Sequence, residues 1–374
     1  MNITRHLLVP LLISALSADS LLAQKKKRKK GEEEEITQTL EVLKDPPMAV
    51  SADPQRLGFL TAPMSSKGLL SQQVRDGLKA LRSQARGAQI IKVRAFVAGT
   101  GDLRRVQAIQ SEYFTEARLP IPALTAIQVG ALPQEGAQVL LEAVTQERRP
   151  ANPNGIAFFS GQQVTTKEPL EKVEPLFKES IKRLEKAARA VKVEGSDMLR
   201  VTCFVSALAD YSAMRQHLAT QFPKATATIV QTLRGLTPGL VECEAAGRTS
   251  ASPPSPLALS NPEGLELSPN YSQAAVVNAP KLILSGAQLA FNNQDADVRL
   301  AFERLRKAVE QAGGTLRSAV LTNYYPLTQS TIDKIRQIRF EFLDKSKPPA
   351  STMLLFEGLP SMDASFSVEV IVLP

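Results

Sequence analysis

Tryptophan is absent from the 374 residues, aromatic residues make up only 5%, and there are just two cysteines and two histidines. So few rings leave little with which to stack single-stranded nucleic acid, and nucleic acid is not an expected partner. His6 falls in the leader described below, which leaves His217, on a predicted helix, as the one histidine of the mature chain. A single histidine cannot furnish a His-rich metal site or a paired-His nuclease centre, so no metal and no other cofactor is expected. Cys203 and Cys243 fall in strand-like runs without a CxxC partner or a nearby histidine, which argues against redox or nucleophilic roles. Export would permit a disulfide between them. Two buried free thiols fit the pattern as well, and unpaired is the favoured reading.

No apolar run is long enough to span a bilayer, so stable membrane insertion is not expected. The longest, LLVPLLISAL, follows Arg5 and His6 and is succeeded by an exit bounded by the small residues Ser20 and Ala23, so residues 1–23 read as a secretory signal peptide and the mature protein as periplasmic or secreted. Lys25–Glu35, KKKRKKGEEEE, contributes +2 of the formal +8 charge. Blocks of like charge stay solvated, and 24–45 reads as a charged linker. The remaining positive excess is spread without a clustered patch.

What is abundant is repetition. Ile90–Val144 recurs in altered form at Met198–Ala246 and again at Leu316–Val372. A period of roughly 100–125 residues is far above the solenoid range, so each copy can hold its own core. Val173, Leu176, Phe177, Ile181, Leu184, Ala188 and Val191 fall at helical spacing, as do Val298, Phe302, Leu305, Ala308, Val309 and Ala312, and Leu70, Val74, Leu78 and Leu81. Each such helix has one apolar face and needs a sheet beneath it. Apolar runs precede it (LGFLTAP, IAFFSGQ, LILSGAQ) and follow it (IIKVRAFVAG, MLRVTCFVSAL, SAVLTNYYPL). Second helices are predicted at Asp102–Phe114, Tyr211–Phe222 and Thr331–Leu343, with closing strands at Ala126–Val144, Ile229–Ala246 and Met353–Val372. The order β-β-α-β-α-β-β, with both helices on one sheet face, predicts an α+β fold.

With SGQ at Ser160–Gln162, NYSQA at Asn270–Ala274, AVEQAGGTL at Ala308–Leu316 and the closing Leu-Pro turns, this order resembles the Rid family, also called YjgF or endoribonuclease L-PSP-like. The expected copies are 46–146, the most diverged; 147–248; and 267–374, the closest to the family, after a Pro/Ser-rich linker at 249–266. The resemblance implies chorismate-mutase-like domains and a trimer with sheets inside, helices outside and a cleft at each boundary. Three tandem copies in one chain would then close on themselves as a monomeric pseudo-trimer.

Family members that hydrolyse enamines and imines hold the substrate carboxylate on one arginine before the closing strands, a residue whose planar fork suits a carboxylate. The matching positions here are Leu124, Thr228 and Ser351, none of them arginine. The family's water-orienting glutamate matches Glu242, but Leu140 and Ser367 in the other copies. Simple strand alternation explains Glu242 as readily as catalysis does. Tyr271, in the family's Tyr-Ser-Gln motif, is matched by Met48 in the first copy and by nothing in the second. Ser160, Gly161, Gln162, Ser285 and Gly286 complete the expected ligand-binding set. Arg118 and Arg234 sit at the wrong parity to replace the missing guanidinium. These losses point to a degenerate, non-catalytic small-molecule-binding or scaffold protein with apolar, hydroxyl-lined clefts. The alternative is an enamine or imine deaminase working in one surviving cleft.

Overall fold

Alternation and helical spacing resolve into three sheets and six α-helices among the described residues, which in this computed structural model are 43–99, 102–232 and 237–374. The expected signal peptide, the charged linker up to residue 42 and Arg234 lie outside the described residues.

The first stretch contains β1 (Ala49–Ala52), β2 (Leu57–Thr61), α1 (Leu70–Gln84), β3 (Gln89–Ala98), α2 (Leu103–Glu116), β4 (Ala123–Val129) and β5 (Val139–Gln146). The second contains β6 (Ile156–Thr166), α3 (Glu174–Ala190), β7 (Met198–Val205), α4 (Tyr211–Gln221), β8 (Thr226–Gln231) and β9 (Gly239–Arg248). Here one long strand precedes the first helix instead of the expected pair. Next come β10 (Leu257–Ser260), β11 (Ala274–Val277), β12 (Leu282–Ser285), β13 (Gln288–Phe291), α5 (Asp295–Gln311), β14 (Ala319–Pro326), α6 (Gln329–Ile338), β15 (Ala350–Met353) and β16 (Ala364–Val372). Side chains close several helix N-termini: Asp102 accepts from the Arg104 N–H, Thr328 from the Thr331 N–H, and Gln294 and Asp297 form a reciprocal capping box.

The three sheets share one pairing pattern. β3, β7 and β14 each run parallel to the strand after the second helix and antiparallel to the closing strand. Parallel neighbours need a crossover, and α2, α4 and α6 supply it. Each of these central strands also slips register near its start, at Ile90/Lys92, Met198/Arg200 and Ala319/Leu321. Beyond the slip, Arg94 faces Glu142, Thr202 faces Glu244 and Asn323 faces Glu369.

Sheet edges depart from local expectation, since strands adjacent in sequence usually pair. β11 adds to β6 in the second sheet, with β10, from the stretch expected as a Pro/Ser-rich linker, beyond it. β1 adds to β12 in the third sheet.

The helices cover one face of each sheet. Val74, Leu78 and Leu81 of α1, Phe177, Ile181 and Leu184 of α3, and Phe302, Leu305 and Val309 of α5 each anchor a separate apolar cluster. The opposite faces meet one another in two shared clusters. One gathers Phe59, Phe158 and Leu284, and the other Phe96, Phe204, Tyr325 and Phe356. Between them lies a charged layer that the sequence reading passed over. Lys92, Arg94, Arg200, Glu142, Glu244 and Glu369 are all buried there. Arg94 lies 2.7 Å from both Glu142 and Glu244, and Lys92 2.5 Å from Glu369.

Cys203 and Cys243 form a disulfide, which corrects the expectation of free thiols. They are direct partners across β7 and β9, with Cα atoms 4.1 Å apart, a proximity that only the strand register decides. Closing a loop of this size removes freedom from the unfolded chain, so replacing both cysteines by alanine is expected to lower the unfolding free energy by about 2–4 kcal/mol in urea titrations. An unchanged denaturation midpoint would mean that the bond contributes nothing. Among the described residues no helix is long and apolar enough to cross a membrane.

Candidate functional site

A cleft of about 830 Å³ opens between the second and third sheets. Its floor begins at a bulge in β6, where the register with β9 shifts between Phe159 and Gln162. Gly161 sits in the bulge, and a methyl group there would overlap the Glu242 carboxyl. Glycine is therefore the residue that lets the backbone approach this acid. Ser160 points into the wall instead: its hydroxyl donates to the Ser272 carbonyl at 2.6 Å and accepts the Ser351 N–H at 2.7 Å. Those two bonds stitch β6 to β15 and to the segment before β11. Gln162 donates to the Ser160 carbonyl at 3.1 Å and to the Gln273 side chain at 2.8 Å.

Glu242 accepts a 2.8 Å hydrogen bond from Gln163 and is 3% exposed. Burial is the main force on its carboxyl. Gln163 partly offsets it and Glu244 adds to it, leaving a pKa of about 8. At neutral pH the group is mostly a carboxylic acid that can donate as well as accept. Tyr271 borders the same cleft, half-buried, with its pKa raised by burial and then by Glu266 and Glu242. Gly161, Gln162, Glu242, Tyr271 and Ser351 thus come together in one place.

The expected apolar, hydroxyl-lined character is not what this cleft has. Lys182, Arg183 and Lys186 of α3 line it, as do Arg336 of α6 and Arg339 of the short 3-10 turn Arg339–Glu341. Arg183 donates to the Gln163 carbonyl at 2.9 Å and to Glu179 at 3.2 Å. Arg339 is 3% exposed, its guanidinium lies 4.9 Å from the Phe340 ring centroid, and its Nε has no hydrogen-bond partner. Guanidinium groups therefore do line this cleft, although Leu124, Thr228 and Ser351 supply none. The arginines come from helix positions with no counterpart in the motif that those three residues match.

Elsewhere the expected site residues are separated. Leu124 and Gly286 border a smaller cleft of about 200 Å³ between the third and first sheets, walled by apolar Met48, Leu103 and Leu289. Ser285 does not border it. Its carbonyl accepts from Lys92 and its hydroxyl accepts the Val370 N–H at 2.9 Å, so both groups serve the interior. At the boundary of the first and second sheets, the Thr228 hydroxyl lies 3.4 Å from that of Thr61, and the Gly130 N–H donates to the Gln231 carbonyl at 2.7 Å. Arg118 takes a left-handed backbone conformation after α2 and borders neither cleft. His217 lies on α4, half-buried, 6.3 Å from the Phe177 ring centroid.

The parallel registers correct one alignment. Thr125 pairs with Arg94, Thr228 with Thr202 and Thr352 with Asn323, which makes these three threonines equivalent. The counterpart of Leu124 and Ser351 in the second sheet is Ala227, not Thr228. That position still holds no arginine.

No known family model matches the chain, and no curated protein matches it. Solved structures of the Rid/YjgF/L-PSP family are among its structural neighbours, at low overall similarity. A Rid-family protein of unknown function from Yersinia pestis aligns with 32% of this chain and 98% of its own, at 16% identity and a TM-score of 0.28. A YjgF/YER057c/UK114 family member from Mycobacterium tuberculosis aligns with 31% of this chain and 98% of its own, at 16% identity and a TM-score of 0.23. A chorismatase aligns with 85% of this chain and 98% of its own, at 11% identity and a TM-score of 0.27. Similarity of this degree carries no inference about ligand or reaction.

Proposed function

We propose that the chain is an exported Rid-like protein whose three repeats close on one another as a pseudo-trimer, and that it binds a small molecule in one working cleft. The shared register slips and the equivalent Glu142, Glu244 and Glu369 support the threefold arrangement. So do hydroxyl contacts from two of the repeats to the one before in cyclic order: Thr125 donates to Glu369, and the Thr228 hydroxyl helps hold down the Glu142 pKa, whereas the equivalent Thr352 hydroxyl has no hydrogen-bond partner. Linking three such units replaces association steps by intramolecular docking and frees each boundary to diverge.

One observation carries the functional reading: of the three boundaries, that between the second and third sheets gathers Gly161, Gln162, Glu242, Tyr271 and Ser351 around a single large opening. Among the described residues, the other two boundaries show a cleft of about 200 Å³ with mostly apolar walls and a Thr61–Thr228 contact.

A second reading, imine or enamine hydrolysis in that cleft, is favoured by Glu242 alone. A carboxyl with a pKa of about 8 is poised near the operating pH of a general acid–base group. Thermal-shift screening of small acids, amides and neutral metabolites, run beside an imine hydrolysis assay, separates the two. The binding reading predicts a ligand that raises the melting temperature by mass action. It also predicts at least a tenfold affinity loss in Gly161→Ala, and no turnover above background. Turnover abolished by Glu242→Gln would establish the hydrolase in its place.

A further inference from the structure

Charge around the cleft is distributed unevenly, and its two least neutralised cations lie on opposite elements. Glu179 engages Arg183 at 3.2 Å and Lys182 at 3.9 Å. Arg336 lies 3.7 Å from Asp333. Among the described residues, Lys186 and Arg339 form no ion pair with any carboxylate. Arg339 is the more unusual of the two. A guanidinium is expected to bring bonding partners with it when it is buried, because an unpaired buried charge is costly. This one is 97% buried by its 3% residual exposure, rests against Tyr324 and Phe340, lines the cleft and leaves Nε unsatisfied. Lys186 stands exposed on α3, beside Gly264 of the loop that forms the opposite lip.

Size adds a second constraint. A volume of about 830 Å³ falls within the roughly 300–1,000 Å³ that drug-sized ligands occupy, and far exceeds what a three-carbon acid fills. With the Glu242 proton retained, the carboxylates left on the lining are Glu179, which pairs with Arg183 and Lys182, and Glu266, against five lining cations, Lys182, Arg183, Lys186, Arg336 and Arg339.

We propose that the cleft takes a small organic molecule bearing two acidic groups, one bonded by the buried Arg339 guanidinium and the other by Lys186 at the mouth. The planar fork of Arg339 suits an oxyanion bidentately, whereas the flexible Lys186 ammonium tolerates variation in the distance between the two acids. This assignment rests on the one-cleft reading and names its ligand class.

The test is calorimetric titration of the full chain with linear dicarboxylates from succinate to suberate, the monocarboxylates of the same length and the corresponding neutral amides. The best diacid is expected to bind at least tenfold more tightly than its monoacid, with a preference that shrinks as salt is raised. Arg339→Gln and, independently, the exposed Lys186→Ala are each expected to reduce the diacid to the affinity of the monoacid. Equal binding of mono- and diacids, or a preference untouched by Lys186→Ala, overturns the assignment. Amide binding that Gly161→Ala abolishes, with no gain from acids, overturns the assignment but leaves the one-cleft reading standing. Failure of every probe to bind contradicts both.

Discussion

Replacing Arg94 by methionine is expected to lower the unfolding free energy by about 3–5 kcal/mol, the usual cost of removing one partner from a buried ion pair. Arg94 is the cation that joins two sheets: it lies 2.7 Å from Glu142 of the first and 2.7 Å from Glu244 of the second, and it donates to Thr202 at 3.1 Å. Burial opposes its charge, but Glu142 and then Glu244 outweigh that and raise its pKa well above the ordinary value. Methionine fills much of the same space and leaves two buried carboxylates facing each other. Guanidinium denaturation measures the loss, with Arg75→Met as the control. Arg75 pairs with Glu112 on the surface, both side chains 35% exposed, and such pairs are worth only about 0.2–1 kcal/mol. A loss for Arg94→Met no larger than the control would show that the layer does not hold the sheets together. The same layer sets an acid limit. Burial alone would raise the Glu369 pKa, but Lys92 and then Arg94 bring it down to about 2. Its contribution is therefore present above its unfolded value of 4.5 and is lost as pH falls toward 2.

Glu242 has the opposite sign. Its folded pKa of about 8 stands above the unfolded value of 4.5, so between these limits the folded protein keeps a proton that the unfolded chain has released. Stability accordingly falls as pH rises through that window and levels off above it. Glu242→Gln removes the titration while keeping an oxygen to accept from Gln163. The variant is expected to match the parent near pH 4 and to exceed it progressively up to pH 8, by roughly 4–5 kcal/mol at the ceiling set by about 1.4 kcal/mol per pH unit. Melting curves across the range check this. A difference that does not change with pH would mean that the carboxyl is ionised in the folded state and that the cleft floor is negative.

Much of the architecture was legible because helix and strand periods are local. The apolar positions of α1, α3 and α5 read from spacing are the ones that cover the sheets. The SGQ motif and Glu242 were each legible as motifs, but that they lie side by side follows only from the β6–β9 register. What failed to show was non-local. Nothing in the sequence near β1 or β11 says that each adds to another stretch's sheet, because an edge strand offers the same backbone groups to any partner. The one-residue error at Thr228 arose because parity, not composition, sets which side chain faces inward. IIKVRAFVA reads as an ordinary strand until three sheets meet and bury Lys92 and Arg94 among Glu142, Glu244 and Glu369. Arg339 was missed for a related reason. It follows the final turn of an amphipathic helix, where a basic residue is commonplace and satisfies the helix dipole. Only its burial and its position on the cleft wall distinguish it.

That a single boundary of three does the binding is tested most directly by the stoichiometry of titration, using the tightest diacid or amide found in the screen. The account predicts one molecule bound per chain in the parent and none, at the same concentrations, in Gly161→Ala. Three molecules per chain, or one that binds Gly161→Ala undiminished, would contradict it.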